Sequence, residues 1–284
     1  MSRLLMLSKL TFLGQTILLE SIKDPWGESD SLLSDIERSG YYDENNSLSL
    51  WVYLATMVKN DEMMLDVGAY SGIYSLFAAK FIKGGAIGAL EASAVTYGRL
   101  VRNIMLNSMD MIVAAGHFAA TNSFGITSLS HLYGIYTTCA GDTIRPVRET
   151  DHLERVIGIP LDEFMSEPKN RPGVFSSKSV NIINSTRISA IKIDVEGAEL
   201  EVLEGAKRIL EVYRPTIICE SFNEKELGNF LESFAYKINK IAEERNYLCI
   251  PNEKSRKFYN DYKSWLSHYE QPTLRLQRYL QLAI

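Results

Sequence analysis

Residues 191–206 read IKIDVEGAELEVLEGA, so a run of strand-forming Ile drives straight into Asp194, Glu196 and Glu199. A carboxylate taken out of water is costly unless it is paired, hydrogen-bonded or engaged with a ligand. Acids this close to a core strand therefore mark a candidate ligand rim. A second stretch, DVGAYSG at 66–72, sets Gly68 and Gly72 at an expected strand-to-helix junction just after Asp66. Gly68 permits a sharp turn, Gly72 permits close approach of a ligand or strand, and the freed N–H groups favour an anion. GxxxG alone is a weak pattern. It gains weight because Glu91 ends the next expected strand about 20 residues on, where an acid in a dinucleotide site hydrogen-bonds ribose hydroxyls.

The elements that must position these residues follow from periodicity. MMLDVG (63–68), AIGALEA (86–92), MIVAAGHFAA (111–120), SAIKIDV (189–195), TIICE (216–220) and NYLCI (246–250) read as core strands. Amphipathic stretches alternate with them: 72–83, the segment holding Tyr97, Leu100, Val101 and Ile104, and a helix striped by Val202, Leu203, Ala206, Ile209 and Leu210. KELGNFLESFAYKINKIAEE (225–244) reads as one long helix. Alternation of this kind predicts a mostly parallel sheet with helices on both faces. KLTFLG and TILLES predict a hairpin near the start, followed by a helix capped by Asp30 or Ser31. IPLDEF (159–164) predicts a short strand and turn, MSEPKNRPGVFSSKS a polar loop, and 121–158 a hairpin or substrate loop. The expected organisation is an N-terminal segment (1–60), a core domain (61–250) and a helical tail (251–284).

Composition narrows the function. The chain has 284 residues, 46% hydrophobic, enough for a sizeable core, and a net charge of −5 that supplies no positive field for nucleic acid. The three cysteines, 139, 219 and 249, form no CxxC pair, which fits neither a disulfide framework nor a zinc site and predicts a cytoplasmic setting. No apolar run reaches the roughly 20 residues of a membrane span. After Pro251, six Lys or Arg face three acids among Phe258, Tyr259, Tyr262, Trp265, Tyr269 and Tyr279; aromatics so spaced predict a helix docked on the body rather than a base-stacking surface.

DVGAYSG, then Glu91, then IKIDVEGAELEVLEGA, in this order and spacing, resemble an FkbM-type methyltransferase over roughly residues 30–250. Tyr70 stands where the family commonly has Asn, and Glu91-Ala92 where it has Glu-Pro. The resemblance implies a class I methyltransferase Rossmann-like fold with a seven-stranded-type sheet, S-adenosylmethionine as methyl donor, and a hydroxyl of a sugar, polyketide or other small molecule as acceptor. An acid at Asp66 suits that donor, whose amino group is cationic, better than NAD.

Ligands of open parallel sheets sit beyond the carboxyl ends of the strands. On that rim the expected cofactor set is Asp66 with the Gly68, Ala69, Tyr70 and Gly72 turn at the methionine end, Glu91 at the ribose, and Phe118–Ala120 with Asn122 at the adenine. Asp194 is expected nearest the sulfonium and acceptor, with Asp194 or Glu196 as the base that takes the hydroxyl proton. Convergence of Asp194, Glu220 and Asp162 on Mg²⁺ is the less favoured alternative, and no metal ligand is assigned. Structural readings compete. Glu196 and Glu199 suit a helix's first turn, Glu199 can hold backbone at the rim, Lys192 suits a snorkelling or ion-paired lysine, and His117 and His131 suit partly exposed structural roles. A nicotinamide-dependent oxidoreductase and a non-catalytic scaffold remain the alternative functions; the acceptor and the oligomeric state stay open.

Overall fold

The structure, a computed structural model, describes residues 4–20, 31–40, 42–131, 144, 152–166, 187–269 and 274–282. The chain opens with an antiparallel hairpin, β1 (Leu4–Phe12) and β2 (Gln15–Glu20), turned at Leu13-Gly14 where both residues take positive φ. Two helices follow, α1 (Ser31–Ser39) and α2 (Asn45–Ala55). Asp30, one of the two expected caps, lies outside the described residues.

The core then alternates as the sequence predicts: β3 (Glu62–Val67), α3 (Ile73–Phe81), β4 (Ala86–Glu91), α4 (Ala94–Leu106) and β5 (Val113–His117). Beyond β5 the expected third strand breaks at Phe118. Ala119–Ala120 form β6, which leaves the main sheet and joins β7 (Gly125–His131) and β8 (His152–Ile159) in a smaller one. Two strands of 121–158 are thus a hairpin's arms; Cys139, residues 132–143 and 145–151, and most of the expected polar loop (167–179) lie outside the described residues. IPLDEF is not a strand and turn. Its Ile159 ends β8 and the rest forms the short helix α5 (Leu161–Ser166).

After β9 (Arg187–Ile193), the single striped helix is instead two, α6 (Glu199–Glu204) and α7 (Lys207–Val212). Gly205 sits at the break, packed so tightly that a Cβ there would lie 2.0 Å from the Thr121 carbonyl oxygen. Asp162 closes the joint by accepting from the Arg208 and Ile209 N–H groups at 2.8 and 2.9 Å. Next come β10 (Thr216–Glu220), α8 (Glu224–Glu232), β11 (Tyr236–Lys240) and β12 (Asn246–Pro251). The long helix expected over 225–244 is therefore wrong in its second half. Ala235 takes φ 57°, which ends helical geometry, and Tyr236 and Ile238 then turn inward while Lys237 and Lys240 face solvent.

The main sheet runs β11-β12-β10-β9-β3-β4-β5, with β12 antiparallel to both its neighbours and the others parallel. NYLCI accordingly lies inside the sheet, not at its edge. This is the seven-stranded, mostly parallel class I methyltransferase fold. Side chains alternate between two cores: Met63, Leu65 and Val67 pack with α6 to α8, while Met64 packs with α2 to α4 and the N-terminal hairpin. Asp66 and Lys192 are register partners, on β3 and β9.

Among the described residues the tail is helical only through α9 (Ser255–Leu266); 275–282 form β13, which pairs with β1 along its length. Helix α9 docks on the body. Phe258, Tyr262 and Trp265 each place a ring within 5.5 Å of Tyr53 on α2, centroid to centroid. Such ring pairs contribute about 0.5–1.5 kcal/mol each beyond burial, which accounts for the aromatic spacing.

Candidate active site

One cleft of about 250 Å³ opens beyond the carboxyl ends of β3, β4, β9 and β10. One end is apolar, lined by Phe118, Ala119, Ala120 and Leu129, and Glu91 and the Gly68–Tyr70 turn follow. The far end is polar, with Tyr42, Glu44, Lys192, Asp194, Glu196 and Glu220.

The glycine turn is built from the inside. Gly68 has φ 79°, and a Cβ on it would lie 1.8 Å from the Asp194 carbonyl oxygen, because Asp194 N–H donates to Val67 at 3.0 Å and draws the two strand ends together. Its glycine serves strand approach. Gly68 and Ala69 N–H both donate to the Leu90 carbonyl at 2.9 Å, Tyr70 N–H to Glu91 Oε2 at 3.0 Å, and Gly72 N–H to Ala69. These N–H groups are used within the protein, so the expectation of free donors for an anion does not hold for them. Gly72 takes φ 92° as the residue before α3 and stands off the cleft wall, as does Asp66.

Asp66 is fully buried behind the turn. Its Oδ2 accepts the Ser75 hydroxyl at 2.6 Å, tying β3 to the first turn of α3, and Oδ1 has no hydrogen-bond partner among the described residues. Burial raises its pKa, and the Lys192 ammonium opposes that. Glu91 lies on the wall, with Oε1 accepting Ser93 N–H at 2.9 Å and Oε2 accepting Tyr70 N–H, so two backbone donors fix its carboxylate there. Asn122 is exposed and donates to Glu204 at 2.8 Å, outside the cleft.

At the polar end Lys192, 2% exposed, places Nζ 2.8 Å from Asp194 Oδ2 and 4.5 Å from the centre of the Tyr74 ring. It is the ion-paired lysine of the two structural readings. Burial alone would lower its pKa, but Asp194, Asp66 and Glu44 together raise it, so it stays charged. For Asp194, burial opposes ionisation, yet Lys192 and a hydrogen bond with Glu220 hold its pKa below the ordinary value. Glu220 is pushed up to about 10 by burial and by Asp194, so it carries the proton of this pair at neutral pH. Glu196 is pushed up to about 7 by burial, then by Asp194 and Glu199. Its backbone takes φ 52°, a strained value for a side-chain-bearing residue, which clusters at working sites. Glu199 holds the adjoining turn, accepting Gly197 N–H at 2.7 Å.

Glu44 was not foreseen from the sequence. Its carboxylate stands on the wall with one oxygen within 4.8 Å of oxygens of Asp194 and Glu220, the place expected for Asp162, which instead caps α7. Only its position just before a helix distinguished it, and that suggests a cap. Neither histidine lines the cleft: His117 stacks on Tyr97 with centroids 4.9 Å apart, and His131, expected to be partly exposed, is 1% exposed beside Glu154.

The family model of the methyltransferase FkbM domain matches residues 66–249, which span the turn, Glu91, Asp194 and Glu220. The chain belongs to the FkbM-domain methyltransferase family. Methyltransferase 1 of Beauveria bassiana (strain ARSEF 2860) is 25% identical over 154 residues, covering 51% of this chain and 59% of that relative. The FkbM-family chain thus spans about three-fifths of the length of the curated relative it matches. The crystal structure of methyltransferase FkbM from Methylobacillus flagellatus KT has 14% identity and TM-score 0.45, over 77% of this chain and 52% of that one. A methyltransferase from Geobacter sulfurreducens has 12% identity and TM-score 0.44, over 77% and 84%. No helix among the described residues is long and apolar enough to cross a membrane.

Proposed function

We propose that this protein transfers a methyl group from S-adenosylmethionine to a hydroxyl oxygen of a small molecule or glycan. The observation that carries the reading is the single cleft in which Glu91, the glycine turn, Asp194 and Glu196 meet beyond the ends of parallel strands. Its residues fit the donor in order. The apolar slot of Phe118–Ala120 and Leu129 suits adenine, Glu91 suits the ribose hydroxyls, and the carboxylates beyond the turn suit a cationic methionine end. Bound there, the donor supplies a methyl group on a sulfonium whose thioether departs uncharged. Asp66 contributes by fixing the turn to α3 rather than by touching the ligand.

The protein's own part is to align the reactants and remove a proton. Alignment in a closed site is worth up to several kcal/mol, and a good leaving group leaves little else to supply. Glu196 takes the hydroxyl proton: it lies on the wall, and its pKa near 7 makes it a stronger base than Asp194, which Lys192 holds ionised and weakly basic. Lys192 already supplies positive charge among these acids, so the expected turnover needs no divalent ion and survives a chelator.

The test is calorimetric titration with S-adenosylmethionine and with NAD, followed by isotope-labelled donor in an extract of the source cell. Saturable binding of S-adenosylmethionine and label in a hydroxyl-bearing product are expected. Tight binding of NAD alone would replace this reading with an oxidoreductase, and binding without label transfer to any acceptor with a scaffold.

A further inference from the structure

Past Glu196 and Glu220 the rim of the cleft continues into a second, smaller hollow of about 150 Å³. The two loops that carry those acids also wall it, with Gly197 and Glu199 on one side and Ser221, Phe222 and Asn223 on the other. Phe222 is 61% exposed, a large apolar ring left in water beside the cleft. Arg245, the residue before β12, is held at the same rim, where its carbonyl accepts Ser221 N–H at 3.3 Å. Its side chain is exposed and lies over Phe222, with the guanidinium carbon 5.3 Å from the ring centre. The acids of these loops and of the first turn of α8 are engaged elsewhere: Glu224 with the Tyr247 hydroxyl at 3.2 Å, Glu226 with Asn223 at 3.0 Å, Glu199 with Gly197 N–H. Among the described residues Arg245 forms no ion pair.

A guanidinium carries a rigid fork of N–H donors that matches the paired oxygens of a carboxylate or phosphate, and an aromatic ring beneath it holds the plane of the fork. The charge of Arg245 reaches the reacting end: burial, Asp194 and Glu199 raise the Glu196 pKa, and Arg245 opposes them. The acids nearest the transfer point leave that charge unanswered, since Asp194 is paired with Lys192 and Glu220 keeps its proton. We infer that Arg245, steadied on Phe222, binds an anionic group of the methyl acceptor, so that the acceptor is a hydroxylated carboxylate or phosphate rather than a neutral alcohol. The inference rests on the methyl-transfer reading above. An acceptor gripped at the rim by its anion turns its hydroxyl inward to Glu196 and lays its apolar part on the exposed ring of Phe222.

The experiment passes the product labelled from S-adenosylmethionine in an extract of the source cell over an anion exchanger at neutral pH. Methylation at the hydroxyl leaves the anion in place, so label that is retained and displaced by salt is expected. Phosphatase treatment separates the two sources of charge: release from the exchanger marks a phosphate monoester, retention a carboxylate. With the acceptor so identified, Arg245→Gln is expected to raise its KM by about tenfold or more, as loss of a charged hydrogen bond does, while affinity for S-adenosylhomocysteine is kept and reports a folded cleft. Added salt should raise the wild-type KM and leave that of the variant nearly unchanged. Phe222→Leu keeps the apolar bulk but removes the ring under the guanidinium, and a smaller rise in KM is expected. Label only in products that run through the exchanger, or an unchanged KM in Arg245→Gln, overturns the inference and leaves methyl transfer standing. No labelled product at all removes the methyl-transfer reading itself, and this inference with it.

Discussion

Lys192 and Asp194 stand two residues apart at the end of β9, with the buried ammonium 2.8 Å from the carboxylate. Asp66, across the strand pair, and Glu44 share the same positive charge. Lys192→Met would leave these acids without it, and breaking a buried pair by removing one partner costs about 3–5 kcal/mol. Urea unfolding of the variant should show a loss of that order, partly recovered by adding Asp194→Asn. A loss below about 1 kcal/mol, the scale of a surface pair, would show that Lys192 does not neutralise the cluster.

Glu196 gives the proposed reaction a pH signature. Its raised pKa makes it protonated and inactive as a base below about 7 and ionised above. The rate under kcat/KM conditions should therefore rise with pH through about 7 and level off. Glu196→Gln should lower kcat by about a hundredfold or more and abolish that rise, while affinity for S-adenosylhomocysteine is kept. An unchanged profile in the variant would move the proton to another group.

Much of the core was legible because a parallel strand and a crossover helix carry different periods: all six expected core strands appear, the third shortened to Val113–His117. What escaped was set by distant contacts. Gly205 breaks a continuous apolar stripe because Thr121 packs against it, and nothing local in that stripe announces the neighbour. Tyr236–Lys240 read as helix because Phe230, Phe234 and Ile238 fall at helical spacing, yet at the sheet's edge one half-buried face is enough for a strand. The site divided in the same way. Glu91 and Asp194 are read at strand ends, whereas Glu44 depends on Glu244, 200 residues away, taking over its cap. Asp66 was visible as an acid in the turn, but its direction, toward Ser75 and away from the wall, was not.

Two glycines beside the cleft should respond very differently to alanine. Gly68 combines φ 79° with a backbone oxygen 1.8 Å from the new Cβ, and a backbone atom at a strand junction has little room to give. Gly197, at φ 101°, has nothing within 4 Å of that point, so its substitution meets conformational strain alone, about 1–2 kcal/mol. Thermal melts should show Gly68→Ala far more damaged than Gly197→Ala, with loss of S-adenosylhomocysteine binding in whatever remains folded. Equal effects would mean that the strand ends are looser than their Asp194-to-Val67 hydrogen bond implies.

Glu220 links the site to stability in alkali. Its pKa, raised to about 10 by burial and Asp194, keeps a proton on the folded chain that the unfolded chain has lost above about 4.5. Where the folded state binds more protons, stability falls as pH rises, so this contribution is complete below the unfolded value and gone above the folded one. The window runs from about pH 5 to about pH 10. Glu220→Gln keeps a neutral donor beside Asp194 but cannot ionise, and its urea midpoint should fall less than the wild type's between about pH 6 and pH 9. Parallel declines in the two proteins would show that Glu220 is already ionised in the folded state and does not share a proton with Asp194.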